Sequence, residues 1–238
     1  MLFNRDHGLI VACDVLTLRK FEELIRKTCH IEGVVGYKVG AILGLTYGLK
    51  TLTSIVKEHC SLPTIYDHQK AATDIPQMAT KFAKVCSNAN IKGFIIFPQA
   101  GPLTEEAFID AILKEHMVPL VGGEMTHPSY IQKEGGFIRD DAPSEMYQIG
   151  AKKGAEYFIL PGNREDAIRH YHQSLSTSVE NPKYCMPGIG SQGGEISRIF
   201  TILRGFSAYA IIGSSIYKSD NIEKTTKTFC KEALKFER

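Results

Sequence analysis

Tyr66-Asp67-His68-Gln69-Lys70-Ala71-Ala72-Thr73-Asp74-Ile75-Pro76 sets one lysine between two aspartates, where an apolar run from Pro63 to Tyr66 gives way to a helix-like pattern. Asp67 to Lys70 is an i,i+3 step and Lys70 to Asp74 an i,i+4 step, so one helical turn would gather the three side chains. Locally, two readings stand. One is a capped helix start carrying a surface ion pair of small energetic value; the other is a catalytic charge cluster. The rest of the chain decides between them.

Working outward, short apolar runs recur with helical patterns between them. Eight strands are expected: Leu9 to Asp14, Val34 to Val39, Thr64 to Asp67, Gly93 to Pro98, Pro119 to Gly122, Tyr157 to Pro161, Tyr184 to Gly188 and Ala208 to Gly213. Most lack polar–apolar alternation, as strands covered on both faces do, and this points to a parallel sheet. Helices are expected over Leu16–Cys29, Tyr47–Glu58, Ile75–Ser87, Thr104–His116 with Thr104 as cap, Ser144–Lys153, Arg164–Tyr171, Gly194–Arg204 and Ile222–Phe236. Eight strands each followed by a helix make a (β/α)8 TIM barrel, a single domain over residues 1–238. Gly123 to Asp141 is too long for a simple connection and reads as a functional excursion.

The composition agrees with a large core. The chain has 238 residues, 43% of them hydrophobic, and 28 basic against 26 acidic residues give a net charge of +2 without blocks of one sign. No nucleic-acid or membrane-surface partner is implied. Six cysteines without CxxC spacing read as reduced, mostly buried thiols. No apolar run approaches the roughly 18 residues that span a bilayer, so a soluble cytoplasmic protein is expected.

In such a barrel the site lies at the carboxyl ends of the strands. Reading off those ends gives Asp14, Lys38, Asp67 with Lys70 and Asp74, Thr126 after the fifth strand, and glycine-rich segments after the seventh and eighth. Pro187-Gly188-Ile189-Gly190-Ser191-Gln192-Gly193-Gly194 and Gly213-Ser214-Ser215 each join a strand to a helix, the usual place for a phosphate in this fold. Gln192 is suited to donate to that phosphate or to a base ring. The early strands supply an alternating array of acids and bases. Opposite charges at about 4 Å attract by roughly 4 kcal/mol at an effective dielectric near 20, enough to keep Lys70 protonated as a proton donor. An anionic substrate group beside Asp67 would be repelled, and losing its charge would relieve the repulsion. Decarboxylation followed by protonation suits such a site.

These residues resemble orotidine 5′-phosphate decarboxylase, most closely its archaeal-type short form, over nearly the whole chain. Ala12-Cys13-Asp14 is similar to the family's first-strand aspartate, Gly36-Tyr37-Lys38-Val39-Gly40 to its second-strand lysine, and Asp67 to Pro76 to its Asp-Lys-Asp-Ile-Pro segment. Glu124-Met125-Thr126-His127-Pro128 resembles the pyrimidine-contacting loop, and Pro187–Gly194 and Ala210–Tyr217 the phosphate loops. The resemblance implies cofactor-free and metal-free conversion of orotidine 5′-monophosphate to uridine 5′-monophosphate. Lys38 and Asp14 would hold the ribose hydroxyls and the ionic network, Asp67 would face the substrate carboxylate, and Lys70 would protonate C6. Asp74 would reach across a homodimer interface to the partner's ribose, and the loop from about Pro187 to Ile196 would close over the phosphate.

Three positions depart from the family pattern. The family spaces its residues Asp-x-Lys-x-x-Asp, one shorter on each side of the lysine than Asp67-Lys70-Asp74. Ser214 stands where the family has a phosphate-binding arginine, for which Arg164 is a candidate substitute, and Met78 stands where a ribose-contacting threonine is usual. Two rivals follow: a Mg²⁺-dependent sugar-phosphate decarboxylase or aldolase using Glu124 and Asp67 as ligands, and a non-catalytic nucleotide-binding relative. His68 and His127 are expected to be structural, Cys13 and Cys185 to be inert, and Tyr130, Phe137 and Tyr147 to be packing residues.

Overall fold

The computed structural model describes residues 1–68 and 74–237. Eight parallel strands close into a ring in sequence order: β1 His7–Ala12, β2 Val34–Gly40, β3 Thr64–Asp67, β4 Gly93–Ile96, β5 Val118–Gly122, β6 Tyr157–Ile159, β7 Lys183–Met186 and β8 Ala208–Ile212. The helices are α1 Leu18–Thr28, α2 Ala41–Tyr47, α3 Leu49–His59, α4 Ala79–Asn88, α5 Pro102–Lys114, α6 Ala142–Lys152, α7 Glu165–Ser178, α8 Ile196–Ile202, α9 Ser214–Tyr217 and α10 Ile222–Leu234. The expected (β/α)8 barrel is therefore the observed one. Among the described residues no helix is long and apolar enough to cross a membrane.

The strands lack polar–apolar alternation because both of their faces are covered. Ile10, Ile65, Ile95, Leu120, Tyr157 and Tyr209 fill the barrel interior, while Leu9, Val11, Tyr37, Phe94, Val121 and Phe158 pack outward under the helices. β2 carries a register shift against β1 between Leu9 and Ile10. Val35 joins the interior cluster and Tyr37 and Val39 the outer one, leaving Lys38 to point into the mouth. The bottom is closed by Phe3, whose ring sits 4.5 Å from that of Tyr209 and 5.8 Å from that of Tyr157. Behind it Glu237 accepts from the backbone N–H of Asp6 at 3.3 Å and of His7 at 3.1 Å.

Several boundaries differ from the sequence expectation. The expected cap Thr104 is buried inside α5, which starts two residues earlier behind Gly101 with proline in its first turn; proline is preorganised for that position. The helix expected over Tyr47–Glu58 is α3, starting after Gly48, and a further helix not expected from sequence, α2, precedes it. Among the described residues after β3, the first helical turn is a 3-10 turn at Pro76–Met78. Asp67 thus closes a strand and Asp74 precedes that turn, so the two do not share a helix as their spacing suggested. Phe137 is fully exposed rather than packed, whereas Tyr130 and Tyr147 are buried.

The excursion after β5 folds over the barrel mouth. Ile131 bridges Ile138 around a 3-10 turn at Gln132–Glu134, and Met125, Tyr130 and Ile131 pack onto the interior cluster. Beneath it, Gly122 faces Phe97 so closely that an added Cβ would lie 2.3 Å from the ring. Gly122→Ala is therefore expected to cost about 1–3 kcal/mol through overpacking, read as a melting temperature several degrees lower by calorimetry. An unchanged melting temperature would show that Phe97 has room to move.

Candidate active site

The strand ends enclose a cavity of about 360 Å³. Its acid–base wall comes from the first three strands. Lys38, nearly buried on β2, places its Nζ 2.6 Å from Asp67 Oδ2 at the end of β3 and 3.2 Å from Asp14 Oδ1 beyond β1. Burial by itself would push the Lys38 pKa down; the Asp67 and Asp14 carboxylates outweigh it and raise it well above its usual value. Asp67 is buried with it, whereas the Asp14 side chain is 47% exposed.

The floor is apolar, built by Ala12, Ile95, Phe97, Ile159 and Ile211, and one side is formed by Glu124 to His127 from the excursion. The opposite rim comes from β7 and β8. There Pro187, Gln192, Gly213 and Ser214 line the cavity, with Ser191 Oγ 2.8 Å from Ser214 Oγ. The β7 loop is stapled at its base, with Gly190 N–H bound to the Gly194 carbonyl at 2.9 Å and Gly194 N–H to the Gly188 carbonyl at 3.1 Å. Glycine is required at 194, where an added Cβ would lie 2.2 Å from the Gly162 carbonyl oxygen. Ser191, Gln192 and Gly193 form the exposed tip.

Of the residues expected from sequence, Asp14, Lys38, Asp67, Thr126, Pro187, Gln192, Gly213 and Ser214 all line this one cavity. Gly193 stands outside the lining, its N–H turned to the Gly190 carbonyl at 3.0 Å. Asp74 is also outside it, and its carboxylate accepts from the neighbouring Ile75 N–H at 2.7 Å. Lys70 lies outside the described residues.

Arg164 is not where a phosphate cation would be. Its guanidinium binds Glu134 at 2.5 and 3.0 Å and Glu124 at 2.9 Å, and also donates to the His127 carbonyl at 3.4 Å. The hydrogen bond from Arg164 holds the Glu134 carboxyl below its usual range. The buried Glu124 carboxylate further accepts from the Tyr171 hydroxyl, and its backbone N–H donates to the Tyr147 hydroxyl. Arg164 thus ties the excursion to the end of β6. Among the described residues no group of three or more His, Cys, Asp and Glu side chains is placed to hold a metal ion.

Several lining residues, among them Tyr217 and the apolar floor, were not singled out from sequence as ligand contacts. Tyr217 sits in α9 beside Gly213, and burial followed by the Asp14 charge raises its phenol. The apolar floor was hidden because its members read simply as strand core. His68 turns to the helix layer, hydrogen-bonding Tyr66 at 2.8 Å and packing on Phe82. His127 lines the cavity with its ring against Tyr130. Burial pushes the Cys13 and Cys185 thiols up, away from the reactive thiolate.

A family model described as orotidine 5′-phosphate decarboxylase / HUMPS matches residues 7–229. The orotidine 5′-phosphate decarboxylase of Methanocaldococcus jannaschii is 28% identical over 229 residues, 95% of this chain and 98% of the relative. That of Methanococcoides burtonii is 27% identical over 231 residues, 96% and 98% respectively. A crystal structure of the Methanocaldococcus jannaschii enzyme complexed with inhibitor BMP superposes with a TM-score of 0.82 at 25% identity, covering 95% of this chain and 98% of that one. The Pyrococcus horikoshii enzyme shares the fold with a TM-score of 0.76 at 23% identity over 94% and 99%.

Proposed function

The chain belongs to the orotidine 5′-phosphate decarboxylase / HUMPS family, and on that premise we propose that it decarboxylates orotidine 5′-monophosphate to uridine 5′-monophosphate. The observation that carries this reading is the Asp14–Lys38–Asp67 ion cluster across the ends of β1, β2 and β3, facing the cavity whose far rim is Ser191 and Ser214. With the substrate's phosphate at that rim, the buried Asp67 repels the substrate carboxylate. Loss of CO₂ removes the repulsion, the electron pair of the broken bond stays on C6, and a proton completes the product. Lys70 is the donor by its resemblance to the family's lysine. Lys38 holds the Asp67 carboxylate at 2.6 Å and offers the ribose hydroxyls a fixed donor. The apolar floor excludes water from the carbanion.

The metal-dependent alternative is less well supported. It needs carboxylates open to a cation, and Glu124 is engaged by Arg164 and Tyr171.

The same reading makes the active unit a homodimer in which Asp74 serves the partner's site. Two features support it. Asp74 lies outside its own cavity, and Leu16, Ile42, Leu45 and Ile75 expose apolar side chains on the segments that follow β1, β2 and β3.

The test follows pyrimidine absorbance with orotidine 5′-monophosphate, with and without EDTA. Turnover indifferent to EDTA is expected, while nucleotide binding without turnover would leave only a non-catalytic relative. Lys70→Ala and Asp74→Ala should each be inactive alone. Random mixing of their subunits should restore about a quarter of the sites if the dimer is two-fold symmetric. No recovery on mixing would overturn the shared site.

A further inference from the structure

At the β7–β8 rim, the Ser191 and Ser214 hydroxyls face each other at 2.8 Å and both line the cavity. Each hydroxyl has one proton and two lone pairs. Their mutual bond uses one of the two protons, so the pair presents one free donor together with acceptor capacity. Among the described residues, the nearby basic side chains are committed elsewhere. Lys38, among the described residues the one lysine or arginine in the lining, is held between Asp14 and Asp67, and Arg164 is held between Glu124 and Glu134. The other titratable groups in the lining are Glu124, His127 and Tyr217.

Resting on the nucleotide reading above, we propose that the Ser191–Ser214 pair receives the ligand's phosphomonoester through exchangeable hydroxyl hydrogen bonds, and thereby holds its singly and doubly charged forms alike. A dianion takes both hydroxyl protons and opens the Ser191–Ser214 bond. A monoanion donates its own P–O–H to one hydroxyl and accepts from the other. A guanidinium is donor-only and prefers the dianion. Ser191 and Ser214 are therefore specificity-determining positions. They set the charge state of phosphate the chain selects.

Calorimetric titration of the full-length protein with uridine 5′-monophosphate and with uridine, at pH 5 and pH 7.5 and at low and high salt, tests this. With a phosphate second pKa of about 6, a site that takes only the dianion gains roughly tenfold in affinity over that interval. The wild type is expected to change less than about twofold with pH and to respond weakly to salt. Ser214→Arg should bind more tightly and acquire both dependences. Ser191→Ala combined with Ser214→Ala should narrow the gap between nucleotide and nucleoside. His127→Gln, run alongside, should leave the flat profile in place.

A tenfold rise in the wild type that persists in His127→Gln would overturn the proposal while leaving turnover, and so the decarboxylase reading, intact. A flat profile without turnover would uphold the hydroxyl site and overturn the reaction. Failure of uridine 5′-monophosphate to bind would overturn both.

Discussion

Lys38→Met is expected to abolish turnover and to lower stability together. The ammonium lies 2.6 Å from the Asp67 carboxylate with both groups nearly buried, and it also reaches Asp14. Removing one partner of a buried pair costs about 3–5 kcal/mol because the remaining charge stays desolvated. In a chain of this size that is roughly 6–20 °C of melting temperature. The catalytic loss should reach at least about 10³-fold, since the variant loses a preorganised cation beside the reacting groups. Asp67→Asn, made in the same background, should recover much of the stability and none of the activity, because it removes the buried charge without restoring the cluster. Calorimetry of the two variants checks the first half and the absorbance assay the second. A Lys38→Met protein that melts normally would mean Asp67 is satisfied by other groups.

Glu105→Gln is the second large effect, and it raises stability. Glu105 is buried in α5, and burial, with the neighbouring Glu106 charge second, pushes its carboxyl from 4.5 up to about 8. Because the folded state holds this proton more tightly than the unfolded chain does, the favourable contribution is complete below pH 4.5. It is then lost progressively as pH rises to about 8. Above that pH the native protein carries a buried carboxylate. Glutamine keeps the shape and cannot ionise, so the variant should match the wild type near pH 4.5 and exceed it by on the order of 3–5 kcal/mol near pH 9. Denaturant unfolding across that range measures the difference directly. Parallel pH profiles for the two proteins would show that Glu105 has a charge partner in solution.

How much of this was legible in the sequence depends on how local each signal is. The strands were legible because both faces are apolar and each run ends in, or runs directly into, glycine, proline or charge; β3 matches its expected bounds residue for residue. Asp14, Lys38 and Asp67 were legible as site residues because each stands at or just beyond the end of a strand, and the fold brings those ends together. Two things were not. The seven-residue α2 contains Gly44 and has no side-chain cap, so nothing marks its start. The Glu124–Arg164–Glu134 tie joins residues up to 40 positions apart. No spacing rule reaches that far, and Arg164 alone looked like a cation available for phosphate. For Asp67-Lys70-Asp74, Asp67 closes β3 in extended backbone, so the helical spacing does not hold at that residue, and Lys70 lies outside the described residues.

The clasp of Glu237 on the N–H groups of Asp6 and His7 gives the barrel a property that its linear sequence conceals. β1 pairs directly with β8, so Asp6 and Glu237 are neighbours and the eight strands form a closed ring. Forming that last pairing encloses some two hundred residues, yet loop-closure entropy grows only logarithmically with length. The clasp lies on the face opposite the ion cluster. A chain joined through this clasp and reopened at a turn on the same face would keep all eight strand pairings and an undisturbed mouth.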